Sequence, residues 1–571
     1  MSDALIRQWI PAKYQNKYTL FTRMDFQGQI SYKNTFNNNH NVGATLVYEA
    51  KIIDNSYLSA LRQYDNVYTT DIIDQGSLTN MQTGGSRSRE KYLSLLGRLN
   101  YDYKGKYLFE FAFRRDGSYR YAPASRWAFF PSVSAGWRVS EESFIKNNLS
   151  LITNLKIRGS YGLMGADAGN PFEYIAGYQF SGIDGGYIFN NNVLTAGAYP
   201  PGVVNNNLSW VKTRTADVGF DLELWKGKFG LTMDLFQKNR DGLLATRFQS
   251  VPNTFGAAFP QENLNSDVVK GIEFMVSHKN KIGDFEYGIS ANLTYSRKFL
   301  IHTERKPYSS SMEEWKDACG NNRILGREWI YERGDQYTNI TEFQTAPLYG
   351  GTLGNSKCTP GSYEITDVNG DGVINANDQM PVAWAGQYQG YATNPPLQYG
   401  LNMNSSWKGF DFNILFQGSS LFTVTVAPND VWGYGRYPTI FDKFLDRWHT
   451  SDPKADPFDP ATEWEIGKFP ALKTSVNASN TGDALVTNLW RYDATYLRIK
   501  SLELGYTLPA IITRKVKIDN VRVFLNCFNL YTFCASKDAK GLDPEREEGS
   551  YTADLTYPLL RSFNFGFNIN F

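Results

Sequence analysis

The chain ends on "RSFNFGFNINF", in which apolar and polar residues alternate without a break. Phe563, Phe565, Phe567, Ile569 and Phe571 share one parity, and Ser562, Asn564, Gly566, Asn568 and Asn570 share the other. Successive side chains of a strand point to opposite faces, so this pattern predicts a strand with one aromatic face and one polar face. The same period recurs upstream. In "YLFEFAF", Tyr107, Phe109, Phe111 and Phe113 oppose Leu108, Glu110 and Ala112. In "TADVGFDLELW", Ala216, Val218, Phe220, Leu222 and Leu224 oppose Thr215, Asp217, Gly219, Asp221 and Glu223. In "FEYGISANLTY", Phe285, Tyr287, Ile289, Ala291, Leu293 and Tyr295 oppose Glu286, Gly288, Ser290, Asn292 and Thr294. A period of two over such lengths is a strand signal and fits a helix poorly.

Between these runs stand near copies of one turn: "YKGKY" at 103–107, "WKGKF" at 225–229 and "WKGF" at 407–410, with "KIGDF" at 281–285 a looser relative. A glycine turn between two alternating runs predicts a hairpin. Aromatics at the strand ends are what a membrane–water interface selects. The other connections are long: about a hundred residues separate the strands near 297 and 397, and about seventy those near 419 and 491, lengths that compact soluble domains rarely carry. Short turns on one side and long loops on the other predict an all-β, antiparallel transmembrane barrel wall whose polar parity faces the lumen.

The spacing predicts about sixteen strands, an even number as single-chain barrels prefer. Their centres fall near 27, 46, 96, 110, 134, 159, 178, 219, 234, 274, 290, 402, 414, 500, 524 and 566. A break in phase around Lys500–Leu502 predicts a bulge. The inward parity carries Arg98, Glu110, Arg114, Asp217, Asp221, Glu223, Asp234, Asp284, Glu286 and Asp411. An ordinary solvated sheet face would carry such charges too, so their luminal reading depends on the barrel.

Composition sharpens the picture in two ways. Aromatic residues make up 15% of the chain, while 58 Lys and Arg balance 57 Asp and Glu. That balance offers no electrostatic footprint for nucleic acid. No stretch approaches the roughly 18 to 20 apolar residues of a membrane helix, which leaves a strand-built membrane protein untouched. The opening "MSDALIRQWI" lacks the basic head and apolar stretch of a signal peptide.

The sharpest local motif is "DVNGDGVINAND" at 367–378. Asp367, Asn369 and Asp371 occupy positions one, three and five of a calcium loop, Gly372 the turn at six, the Val373 carbonyl position seven and Asp378 position twelve. Hard oxygens at this spacing suit Ca2+. A DG-rich turn whose oxygens bond its own backbone is the alternative. Cys319 and Cys358 lie in one long polar segment and could pair, and the absence of any CxxC argues against zinc. His40, His278, His302 and His449 are scattered, and neither HExxH nor GxSxG occurs, so no enzyme is expected. Trp384, Tyr388, Tyr391, Trp432, Tyr434 and Tyr437 fall in the long loops and could stack on sugar rings or peptides, or simply pack the loops.

Taken together, these stretches resemble the SusC-type TonB-dependent transporters of the outer membrane of Bacteroidetes. The resemblance rests on "YDYKGKYLFEFAFRRDGSYRY", "RWAFFPSVSAGWRVSEESF", "LKIRGSYGLMG", "ITDVNGDGVINANDQ", "FLDRWHT", "DATYLRIKSLELGYTLP", "NVRVFLNCFNLYTF", "GLDPE" and the terminal "RSFNFGFNINF", in order and over most of the chain. It implies a 22-stranded barrel around a plug, energised by TonB and capped by a SusD-like surface lipoprotein, importing oligosaccharides or peptides. It also implies that the terminal aromatic is a signal for barrel assembly. No plug, TonB box or leader is recognisable in 1–571, and about six strands are short of the family count. Residues 1–571 are therefore expected to be the C-terminal barrel portion, with a preceding polypeptide supplying the plug and first strands. Two rivals remain: a complete, passive porin of about sixteen strands, and a non-transporting surface β-protein that binds glycans.

Overall fold

A computed structural model describes residues 12–64, 71–181, 187–189, 193–195, 197–199, 202–248, 257–305, 307–308, 310–318, 329–349, 355–356, 358–381, 395–425, 442–471, 487–513, 515, 517–536, 543–545 and 559–570. Fifteen of its strands form one antiparallel sheet in which each strand pairs with the next wall strand along the chain. They are β1 (Ala12–Phe36), β2 (His40–Tyr64), β3 (Ser77–Tyr103), β4 (Tyr107–Ser118), β5 (Trp127–Arg138), β6 (Ile152–Ala166), β7 (Val211–Leu224) and β8 (Phe229–Thr246). The row continues with β9 (Gln261–Ile282), β10 (Phe285–His302), β11 (Leu397–Trp407), β12 (Phe410–Ser420), β13 (Tyr496–Thr507), β14 (Asn520–Cys534) and β15 (Ser562–Asn570). No helix among the described residues is long and apolar enough to cross a membrane, which says nothing about crossing by strands.

The connections alternate. On one rim lie the turns after β1, β3, β7, β9 and β11, together with the longer links 139–151 and 508–519. On the other rim lie 65–76, 119–126, 167–210, 247–260, 303–396, 421–495 and 535–561. All three Lys-Gly turns share the short rim, as an antiparallel meander requires once an even number of strands separates them. Their geometry is that of tight hairpins: Lys408 and Gly409 have φ of +47° and +90°, and Lys104 and Gly105 of +54° and +67°. Positive φ at both central residues gives the turn a twist that matches the strands it joins.

One predicted strand does not join the wall. The run near 178 forms only Gln179–Ser181, which pairs with Gly197–Tyr199 inside the connection 167–210. Three residues cannot span a membrane, for which about nine to eleven are needed, and glycines at 177, 182, 185 and 186 bound the run. Asp284 likewise leaves the inward set, because it lies in the turn between β9 and β10. The bulge appears where expected. The β13–β12 and β13–β14 registers both slip between Ile499 and Ser501, so that Asn529 and Leu530 stand opposite the single Lys500. Asn529 takes φ +50° there, a conformation asparagine tolerates better than most residues.

The outer edges of β1 and β15 carry no strand partner among the described residues. Their directions matter. β1 enters the short rim at its C-terminal end, and so does β15, whose Asn570 carbonyl accepts from the Asp519 amide of the short-rim link 508–519. The two edge strands therefore run the same way.

Candidate functional site

One face of the sheet is apolar and exposed: Phe26 and Ile30 on β1, Leu99 on β3, Phe109 and Phe111 on β4, and Phe563, Phe565 and Phe567 on β15. The other is polar and concave. A cavity of about 740 Å³ is lined by polar residues from seven consecutive strands, among them Lys33, Thr45, Arg98, Glu110, Ser134, Arg158 and Asp217. Charged groups on this face are knitted into ion pairs within strands and between strands one or two apart. Arg98 meets Glu110 at 2.5 Å, and Arg114 meets Asp116 at 2.7 Å and Glu49 at 3.5 Å. Arg522 on β14 reaches Asp411 and, at 2.6 Å, Glu503.

Arg158 on β6 is the densest node. It faces Asp234 at 2.6 Å, Asp221 at 3.3 Å and Asp217 at 3.5 Å, so a single cation serves three carboxylates from β7 and β8. Near the long rim Asp267, almost fully buried, is held by Arg240 at 2.5 Å and Lys298 at 3.0 Å. Pattern reading had found the acids of the Arg158 node but not the arginine. The signal was present: Arg158 sits on the inward parity of "LKIRGSYGLMG".

Above the long rim, the loops 303–396 and 421–495 fold against each other. The first has its own core of Tyr331, Tyr337, Phe343, Tyr349, Cys358, Ile365 and Ile374. The second brings Phe444, Phe469 and Trp490 together, with ring centroids 4.8 to 6.2 Å apart. They are joined by the Tyr363 hydroxyl donating to the Lys468 carbonyl at 2.6 Å and by Arg333 Nε donating to Asn488 Oδ1 at 2.8 Å. Gly361, at φ +85°, lies against Trp448, where a Cβ would collide with the indole. A third long-rim segment is clasped to the wall. Arg498 on β13, 3% exposed, pairs with Asp543 at 2.5 Å and Glu545 at 2.7 Å, and Lys500 at the bulge adds a second contact to Glu545 at 2.7 Å.

The 367–378 loop belongs to the first of these loops. Its Val373–Ile374 pairs in parallel with Leu348–Tyr349. Asp367 accepts from the Gly370 amide at 2.8 Å and the Gly372 amide at 2.7 Å. Asp371 accepts from the Val373 amide at 2.8 Å and the Asn369 side-chain amide at 2.8 Å. Asp378 is fully buried and accepts from Val368 and Asn375 amides at 3.1 and 2.7 Å, closing a capping box with Asn375. The Gly372 amide, above all, holds the Asp367 carboxyl below the usual carboxylate range. Within the turn Asp367, Asn369 and Asp371 thus bond the turn's own backbone and one another, the Val373 carbonyl accepts from the Asn375 side-chain amide at 3.2 Å, and Asp378 is spent on capping. Among the described residues no three His, Cys, Asp or Glu side chains converge as a metal cluster. Trp384, Tyr388, Tyr391, Trp432, Tyr434, Tyr437 and Cys319 lie outside the described residues, so the proposed aromatic platform and the Cys319–Cys358 pairing have no geometry here; Cys358 is fully buried.

The family described as TonB dependent receptor-like, beta-barrel matches residues 6–530. The chain belongs to the TonB-dependent receptor β-barrel family. Such a receptor barrel resides in the outer membrane, with its apolar convex face toward lipid. TonB-dependent receptor P3 of Formosa agariphila is 25% identical over 87% of this chain and 47% of its own length. TonB-dependent receptor SusC of Bacteroides thetaiotaomicron is 26% identical over 85% of this chain and 44% of its own. The chain spans about half the length of these curated relatives. A solved structure of the RagAB peptide transporter superposes with a TM-score of 0.72 at 18% identity, covering 97% of this chain and 56% of that one, which bears on the fold alone. With the family fixed, the short-turn rim of this receptor barrel faces the periplasm and the long-loop rim the outside.

Proposed function

We propose that this receptor wall is the barrel part of an active, TonB-dependent importer of oligosaccharides or peptides, working beneath a SusD-like surface lipoprotein and around a plug supplied by the polypeptide that precedes it. RagAB is a peptide transporter, and the SusC-type resemblance adds oligosaccharides; neither likeness chooses between them for this chain. The relatives are receptors, and no catalytic role is proposed.

The observation that carries this reading is the shared direction of β1 and β15. Antiparallel closure of β15 onto β1 is impossible when both run toward the short rim. An open edge in hydrocarbon would leave backbone groups unpaired at several kcal/mol each. An odd number of additional strands, beginning and ending with strands that run toward the long rim, closes the wall. The family's count of 22 asks for seven. A passive porin made of residues 12–570 alone would need a parallel seam instead.

A photo-crosslinker in place of Phe567, in the whole protein in its native membrane, tests this. Apart from adducts to β14, with which Phe567 already pairs, the expected adduct lies on a strand outside residues 12–570. An adduct within 12–36 means a self-closed pore and overturns the importer reading. Growth on the transported oligosaccharide or peptide should also disappear when the inner-membrane energy supply is uncoupled.

For the 367–378 loop we propose a structural calcium ion held by Asp367, Asn369, Asp371 and the Val373 carbonyl, with Asp378 orienting the loop rather than ligating. In support, two Asp carboxylates and an Asn oxygen share one turn, and a carboxylate keeps acceptor capacity after one hydrogen bond to each oxygen. Calcium should slow proteolysis of the loop in the wild type and not in Asp371→Ala. Equal protection with calcium and with EGTA in the wild type overturns the assignment.

A further inference from the structure

The short rim holds a feature that hairpin geometry does not demand. Lys104, Lys226 and Lys408 take φ of +54°, +59° and +47° in their turns. Glycine and asparagine enter that region most easily, and the rim uses them elsewhere: Asn37 and Asn38 fill the turn after β1, and Gly283 the turn after β9. At three turns, after β3, β7 and β11, the chain places a cation where an uncharged residue would be less strained.

These three lysines are exposed, as is Lys228 beside them, and none of the four has a carboxylate partner among the described residues. Lys106 shows what partnering looks like on this rim, with its ammonium 3.2 Å from Glu142. Two of these free ammonium groups instead lean on aromatics at the strand ends. Lys104 Nζ lies 5.2 Å from the Tyr103 ring centre and Lys408 Nζ 5.5 Å from the Trp407 ring centre. Trp225, Trp407 and Phe410 are about half-exposed at the turns. Each turn thus presents an unpaired cation beside an exposed aromatic, and at Lys104 and Lys408 the ammonium lies over the ring itself, at the depth where headgroup phosphates meet the apolar band.

We infer that the three Lys-Gly turns are binding sites for anionic phosphate headgroups of periplasmic-leaflet phospholipids, one lipid at each turn. Four strands separate successive turns, so the sites are spread around the wall and act independently. The phosphate would be met by the ammonium from the water side while the acyl chains lie along the exposed rings. Held at these turns, such lipids would fix the height of the wall in the bilayer from below, opposite the long loops.

The test uses the whole protein purified from membranes and titrated with phosphatidylglycerol or phosphatidylethanolamine, read by native mass spectrometry. The variant is Lys104→Asn/Lys226→Asn/Lys408→Asn. Asparagine suits positive φ, so the barrel should keep its heat-modifiable mobility. The wild type should prefer phosphatidylglycerol by roughly fivefold at each lysine. The Asn variant should lose that preference, and the corresponding triple Lys→Arg variant should retain it. Inorganic phosphate should not displace the lipid; displacement would make free phosphate the ligand and overturn the lipid assignment. A wild type without preference, or an Asn variant that keeps it, overturns the proposal. So does an Asn variant that keeps its lipid and loses only a periplasmic protein partner, which would make that protein the occupant.

Discussion

Phe113 on β4 lies directly across the ladder from Gly97 on β3, and its ring covers the glycine on the outward face. A Cβ on Gly97 would collide with Phe113 Cε1, and Phe129, its ring centre 5.6 Å from that of Phe113, limits the ring's retreat. On the inward face Phe236 covers Gly271 and Phe524 covers Gly566 across their ladders in the same way. At Gly97 the ring keeps an apolar surface where the backbone would otherwise meet lipid bare, and on either face an aromatic laid over a glycine pins the register of the pair.

Gly97→Ala should therefore overpack the pair and cost about 1–3 kcal/mol. The readout is the midpoint of heat-modifiable mobility or of urea unfolding in detergent. Adding Phe113→Leu should return part of the loss; if the double variant is no better than the single, the ring is not the obstacle.

Arg158→Ala should cost about 1–3 kcal/mol, because Asp217, Asp221 and Asp234 then face one another without a cation in a partly exposed site. Arg158→Lys should lose less. The penalty should shrink at high salt, which screens repulsion among exposed carboxylates. A penalty independent of salt would point to lost packing instead.

Gly361→Ala should uncouple the two long loops. The substitution meets Trp448 and forces a side chain into φ +85°, a conformation costing on the order of 1–2 kcal/mol for a residue with a Cβ. Limited proteolysis within 421–495 should speed up while the wall retains its unfolding midpoint. Unchanged cleavage would mean the docking does not depend on this contact.

The 367–378 loop should be acid-sensitive. Asp367 is held below its ordinary value, so its contribution is present above the unfolded carboxylate pKa and is lost as pH falls through the lower folded value. Protection of the Gly370 and Gly372 amides, corrected for intrinsic exchange, should be steady from neutral pH down to about 4 and vanish below that. Loss of protection already near pH 6 would implicate another group.

Strand identity, face and hairpin ends were legible in the chain because each is local. Side chains alternate with a fixed period of two, and a Lys-Gly pair between aromatics signals its own turn. That is why fifteen of the sixteen expected strands are in the wall, and why the bulge at Lys500 showed as a break in phase. The weak run near 178 misled because a short apolar alternation between glycines also suits a ribbon lying in a loop. Arg158 shows the limit of pattern reading. Its inward parity was available, but that one guanidinium answers acids from two strands depends on the shear between β6, β7 and β8, which sequence spacing does not encode. Tertiary structure alone set the docking of loop 303–396 on loop 421–495 through Tyr363 and Lys468, since such contacts join residues far apart in the chain. It also decided that the two edges run alike. A strand's direction in the wall depends on how many strands precede it, so a single spurious strand reverses the conclusion, and only the paired sheet counts them.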